Sequence, residues 1–121
     1  MKAQDTGIKR ILKAFTYSYQ GFVSAYKSEA AFRQDLLFCA FFSLVAVFLP
    51  TSLSNKLHLI CSLLLILLAE LINTAIETVV DRISPDYHEL SKKAKDIGSL
   101  LVLLSFVYVG IYWLATLIAI F

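Results

Sequence analysis

The chain opens with apolar positions that recur every three or four residues and continues with stretches that are apolar almost throughout. Ile8, Ile11, Leu12, Phe15, Tyr19, Phe22, Val23 and Tyr26 follow the first pattern, and Lys9, Arg10, Lys13, Thr16, Tyr17, Gln20, Ser24 and Lys27 lie opposite them. This predicts an amphipathic helix over 8–27 with a basic polar face, the pattern of a helix lying in a membrane interface. Residues 1–7 are polar, with Thr6 a candidate N-cap. The stretch lacks a continuous apolar core and a small-residue cleavage site, so it does not read as a cleavable signal peptide.

Three apolar stretches come next. Ser28 is placed to cap a new helix, and 30–49 is long enough to span hydrocarbon about 30 Å thick. Arg33 and Asp35, near its start, can reach back to the interface. A turn around Pro50 leads to a second span over 57–80. Ser84-Pro85 sets a capping residue before a proline at a first helical position, which predicts a short polar helix or a turn. The third span is 97–120, with Tyr108, Tyr112 and Trp113 expected as interfacial aromatics towards its far end.

Composition turns these stretches into a class. Hydrophobic residues make up 59% of the 121 and charged ones 17%, against about 45–50% and 25% in ordinary globular chains. With a mean hydropathy of +0.74, this is an all-α integral membrane protein in one domain. A net charge of +2 gives no support to a nucleic-acid partner. Cys39 and Cys61 both sit in apolar runs and read as small buried hydrophobes, neither a disulfide nor a metal pair. Lys2, Lys9, Arg10, Lys13, Lys27 and Arg33 stand before or at the start of the first span, and Arg82, Lys92, Lys93 and Lys95 between the second and third. Only Lys56 lies in the intervening loop. The bias of basic residues puts the N-terminus and the 82–96 connection in the cytoplasm and the C-terminus outside.

Candidate chemistry is concentrated in 70–96, ELINTAIETVVDRISPDYHELSKKAKD. On a helix, Glu70, Asn73, Thr74, Glu77 and Asp81 fall within an arc of roughly 100°. Glu70 lies about 20 Å from the outer end of its span and Glu77 about 10 Å further on, at the cytoplasmic interface. A carboxylate at the depth of Glu70 costs about 2.5–3.5 kcal/mol, so it should face protein, water or a polar ligand. A structural contact with Asn73 and Thr74 is one reading. Carboxylates near an interface can also share Mg²⁺ with phosphates, and a desolvated one can act as a general base. Lys92, Lys93 and Lys95 could neutralise phosphate, although for Lys92 and Lys93 a topology signal is the simpler reading. Glu29, at the mouth of the first span, is a further candidate ligand. Gly7, Gly21, Gly98 and Gly110 form neither a Walker A loop nor a G-x-G-x-x-G loop, so a nucleotide would be held without a common nucleotide-binding fold.

The segments EAAFRQ (29–34) and ELINTAIETVVDRISPDYHELSKKAKDIGS (70–99), with RILKAF (10–15) in the amphipathic stretch, resemble the small prokaryotic diacylglycerol kinase family. The resemblance runs from about residue 7 to the end. It implies a homotrimeric bundle, each chain with an N-terminal surface helix and three transmembrane helices, in a bacterial inner membrane. It implies transfer of the γ-phosphate of MgATP to the primary hydroxyl of diacylglycerol. By position, Glu70 would be the general base, and Glu29 and Glu77 would hold the metal. Lys95 would meet phosphate and Asp96 ribose, while Asp86, Tyr87, His88, Arg10 and Tyr17 would line the nucleotide site. Asn73 would position the reacting groups. Arg10, Ala14, Arg33 and Ser99 would lie along the lipid's path. Sites in this family form at subunit boundaries. Tyr19 and Tyr26 stand where its members often carry tryptophan.

Three other readings compete. Undecaprenol kinases share ELINTAIE, but EAAFRQDL and ELSKKAKDIGSLLVL look closer to the diacylglycerol kinases of Gram-negative bacteria. A small ion-coupled transporter subunit would use Glu70 as a proton relay and have no use for Lys95-Asp96. A non-enzymatic interaction protein or assembly factor is the third.

Overall fold

A computed structural model of the protein describes residues 6–121, which form four helices: α1 (Gly7–Ser28), α2 (Ala30–Phe48), α3 (Leu53–Ile83) and α4 (Glu89–Ile120). The last three are long and apolar enough to cross a membrane, and the chain is a multi-pass membrane protein. In such a chain a helix satisfies its own backbone groups, so outward faces can be wholly apolar. Leu64, Leu68, Ile72, Leu104, Ile111 and Ile118 are accordingly exposed.

Each helix end has a specific cause. Thr6 is the N-cap residue of α1 in extended conformation, but its hydroxyl makes no capping bond. The Ser28 cap expected for α2 does not form: Ser28 is still the last residue of α1, and Glu29, with extended backbone, separates the helices without a side-chain cap bond. Arg33 closes this junction. Its Nη1 donates to the carbonyls of Tyr26 at 2.6 Å and Lys27 at 3.2 Å, meeting orphan acceptors at the end of α1 with a cation where the helix dipole favours one.

At the opposite end of α2, Lys56 Nζ donates to the carbonyl of Val47 at 2.8 Å. Ser52 Oγ accepts from the Asn55 amide at 3.1 Å. That N-cap starts α3 at Leu53, ahead of the expected Leu57, and α3 continues past Val80 to Ile83. Ser84-Pro85 is a turn, not a helix start: Ser84 Oγ accepts from the Asp86 amide at 3.1 Å. The cap of α4 is His88, whose Nδ1 accepts from the Leu90 amide at 3.0 Å. The polar residues 89–96 are therefore the first turns of α4, continuous with the third span.

Helix α3 is the centre of the packing, against α4 on one side and α2 on the other. Leu59, Ile66 and Ala46 are fully buried, and the cluster is completed by Cys39, Leu63, Val109 and Trp113. Trp113 is not an interfacial aromatic. Its ring is buried edge-on against Phe42, with centroids 5.4 Å apart, and its indole Nε1 donates to Ser62 Oγ at 3.1 Å. Buried tryptophan needs a partner for its one donor, and Ser62 on α3 supplies it. The cysteines also divide. Cys39 is buried, whereas Cys61 faces outward.

Candidate functional site

The face of α3 that carries Glu70, Asn73, Thr74, Glu77 and Asp81 runs from the interior to the surface. Glu70 is buried at 8% exposure; Asn73, Thr74 and Glu77 are half-buried, and Asp81 is exposed. Asn73 does not bond Glu70. Its Nδ2 donates to Glu77 Oε1 at 3.1 Å, and its Oδ1 is buried without a hydrogen-bond partner. Asn73 thus sits between two carboxylates of the stripe and is committed to the outer one.

The side chain that meets Glu70 comes from α2. Asp35 faces it carboxyl to carboxyl, with Asp35 Oδ2 buried and unpartnered. Asp35 is thus turned inward against α3, while its neighbour Arg33 turns back onto α1. The helical spacing of Phe32, Asp35 and Cys39, the outer two buried, held the signal: Asp35 lies on the inward face of α2. Glu29 and Glu77 are the other acidic groups whose charge reaches Glu70.

Beyond the stripe, the α3–α4 connection forms a cavity of about 450 Å³ lined by Val80, Ser84, Pro85, Asp86, Tyr87, His88, Ser91, Lys92, Lys95 and Asp96. It brings together all five nucleotide-site residues expected between 86 and 96. Lys95 Nζ donates to Asp81 Oδ1 at 2.8 Å, joining the start of α4 to the end of α3. That bond raises Lys95 above the ordinary lysine range, so its ammonium is firmly charged. Lys92 Nζ pairs with Asp96 Oδ2 at 2.6 Å. Lys92, set aside as a topology signal, is thus part of the cavity wall.

Other expected residues stand apart from this cluster within one chain. Arg10, Ala14 and Tyr17 share a face of α1, whose ties to α2 are at Phe22, Tyr26 and Lys27. Ser99 is exposed on α4, next to the buried Gly98.

The match of the prokaryotic diacylglycerol kinase model spans residues 16–117. The chain belongs to that family. It is 42% identical over 113 residues to a diacylglycerol kinase of Escherichia coli K12, with 93% of each chain covered. A diacylglycerol kinase of Pseudomonas aeruginosa is also 42% identical, over 94% of this chain and 93% of its own. One from Helicobacter pylori strain 26695 is 35% identical over 95% and 90%.

The residues present fit a nucleotide-bound divalent ion better than a protein-enclosed one. Among the described residues, no group of three or more His, Cys, Asp or Glu side chains is arranged to hold a metal. Mg²⁺ commonly takes only one or two carboxylates and completes its shell with phosphate and water. Glu29 and Glu77, both half-buried and both close enough for their charge to reach Glu70, would be a donor set of that kind.

Proposed function

We propose that the protein is an ATP-dependent diacylglycerol kinase of the bacterial inner membrane, acting as a homotrimer with its N-terminus in the cytoplasm and its C-terminus outside. It transfers the γ-phosphate of ATP to the primary hydroxyl of diacylglycerol and yields phosphatidic acid, in phospholipid recycling. The observation that carries this reading is Glu70, a carboxylate buried within a membrane helix whose own polar face leads to the cavity lined by Lys95 and Asp96. The names of the relatives support diacylglycerol as the acceptor.

Phosphoryl transfer rests on positioning and charge neutralisation, so a base, cations and acidic metal ligands can suffice without a globular kinase fold. Glu70 accepts the proton of the lipid hydroxyl as its oxygen attacks the γ-phosphorus. The new O–P bond forms while the bond from that phosphorus to the bridging oxygen breaks, and ADP leaves. Mg²⁺ held by Glu29 and Glu77 would neutralise charge on the transferring phosphates. Lys95 turns its ammonium to phosphate, and Asp96 accepts from ribose. Asp86, Tyr87, His88, Arg10 and Tyr17 surround the rest of the nucleotide. Asn73 orients the carboxylates beside the lipid, which reaches Glu70 past Arg10, Ala14, Arg33 and Ser99. The amphipathic α1, with Ile8, Ile11, Leu12 and Phe15 exposed, lies in the membrane interface and covers that path; a neighbouring chain completes the site.

The test is incorporation of label from γ-labelled ATP into lipid in mixed micelles, comparing wild type with Glu70→Gln. Loss of the general base should lower kcat by about 10²–10⁴-fold while the variant stays assembled. An assembled Glu70→Gln enzyme with most of its activity would refute the base role. Offering diacylglycerol and a polyprenol separately tests the acceptor, and a clear preference for the polyprenol would overturn it.

A further inference from the structure

Gly98 is a buried glycine on α4, placed where α4 crosses Asn73 of α3. A Cβ built there would overlap Asn73 Oδ1 and stand 3.2 Å from its Cγ and 3.6 Å from its Cα. The helical glycines Gly21 and Gly110 differ: a Cβ at either meets nothing within 4 Å. The space a side chain would take at 98 is therefore filled by the Asn73 amide oxygen, the same buried atom that lacks a hydrogen-bond partner. A buried polar atom without a partner calls for a physical reason. Here the oxygen is turned against a methylene so that the amide nitrogen of the same group can donate to Glu77 Oε1.

We infer that Gly98 is a positioning residue: by lacking a Cβ it seats the Asn73 amide in the one orientation that presents its N–H to Glu77. The inference rests on the reading of Glu77 as a metal ligand. Gly98 has no side chain to reach substrate or metal and acts through Asn73. A methyl group at 98 would force the amide to rotate or α4 to move outward. Either change removes a hydrogen bond that fixes one lone pair of Glu77 and leaves that carboxylate free to turn away from the ion. Groups that hold a metal ligand from behind commonly change metal affinity or activity by about 10–100-fold.

The experiment is initial-rate kinetics of full-length Gly98→Ala, Asn73→Ala and the double variant in mixed micelles, with Mg²⁺ titrated at fixed ATP. Gly98→Ala should raise the Mg²⁺ needed for half-maximal rate about 10-fold and change KM for diacylglycerol little. In the Asn73→Ala background the added Gly98→Ala should have no further effect, because the group it displaces is already gone. Additive losses, or an unaltered Mg²⁺ requirement in Gly98→Ala, would overturn the proposal. Should Gly98→Ala alone fail to fold, the double variant should fold, since removing the amide removes the overlap; a double variant that also fails would make Gly98 a plain packing glycine. Glu77→Gln, run alongside, keeps the two readings apart: an unchanged Mg²⁺ requirement there refutes the metal role of Glu77, whereas the coupling of 98 and 73 tests the seating of the amide by itself.

Discussion

Replacing Ser62 by alanine removes the acceptor of the Trp113 indole and leaves that N–H buried. Trp113 is 6% exposed and Ser62 likewise 6%, so water cannot take over the bond. An orphaned buried donor costs about 1–3 kcal/mol. Trp113→Phe loses the same bond more gently, because Ser62 Oγ still donates to the carbonyl of Leu59 at 2.6 Å. What it adds is lost ring volume beside an apolar cavity of about 290 Å³ lined by Phe38, Phe42, Leu63, Phe106 and Trp113 itself, among others. The pair in a double-mutant cycle isolates the bond. Interhelical hydrogen bonds in membranes couple by about 0.6 kcal/mol on average and at most about 1.7, and this one, at 3.1 Å between buried partners, belongs in the upper half of that range. The assay is SDS-titrated unfolding in mixed micelles, followed by tryptophan-independent helicity for all four proteins. Because the bond lies far along α3 from Glu70, kinase activity below the unfolding transition should match wild type in both single variants. A coupling indistinguishable from zero, with both singles destabilised, would refute the bond as the link between α3 and α4.

Three further outcomes follow from the site and the core. Glu29→Gln and Glu77→Gln should each raise the Mg²⁺ requirement in a metal titration, and an unchanged requirement would remove that residue from the metal site. Asp35→Asn places an amide donor against Glu70; if Glu70 is the base, that ties it up, so kcat should fall about 10-fold or more with KM for ATP steady, and a change confined to KM for ATP would contradict the pairing. Cys61 should react with an apolar maleimide in micelles well before Cys39, read by mass spectrometry of digested protein, and the reverse order would contradict the facing of α2 and α3.

The helices were legible because each apolar stretch is long and its polar flanks are distinct. Their ends were less so. Hydropathy located the second span from Leu57, but Ser52 begins the helix earlier by capping it, and a cap is a local hydrogen bond that the apolar pattern does not register. Ser28 looked equally good as a cap, but α1 runs through it, so Glu29 takes the N-cap position of α2. The stripe on α3 could be read since its residues share one helix and one angular arc. Asp35 could not be read as its neighbour, since the contact joins two helices and the identity of facing residues depends on how α2 rotates against α3. Trp113 was misjudged for a related reason. Near a span's end tryptophan usually seeks the interface, but a serine on the adjacent helix gave its N–H a partner inside. Cys61 shows the limit of composition in a membrane chain, where an apolar setting does not distinguish the protein interior from its lipid-facing side.

The length of α3 has a bearing on where the protein can work. Its 31 residues reach roughly 46 Å along the helix axis, against a hydrocarbon layer of about 30 Å. The tight α2–α3 turn closes one end, so the excess emerges on the side of Glu77 and Asp81. Glu70 stands about 26 Å from Leu53, close to the far edge of a layer that starts at that turn. If Glu70 serves the acceptor hydroxyl, a bilayer thicker by a few ångströms would draw it beneath that level and a thinner one would lift it into the headgroups, shifts that helix tilt offsets only at a modest cost per ångström. The rod therefore acts as a gauge, tying the working height of the carboxylates to the thickness of the membrane that holds them.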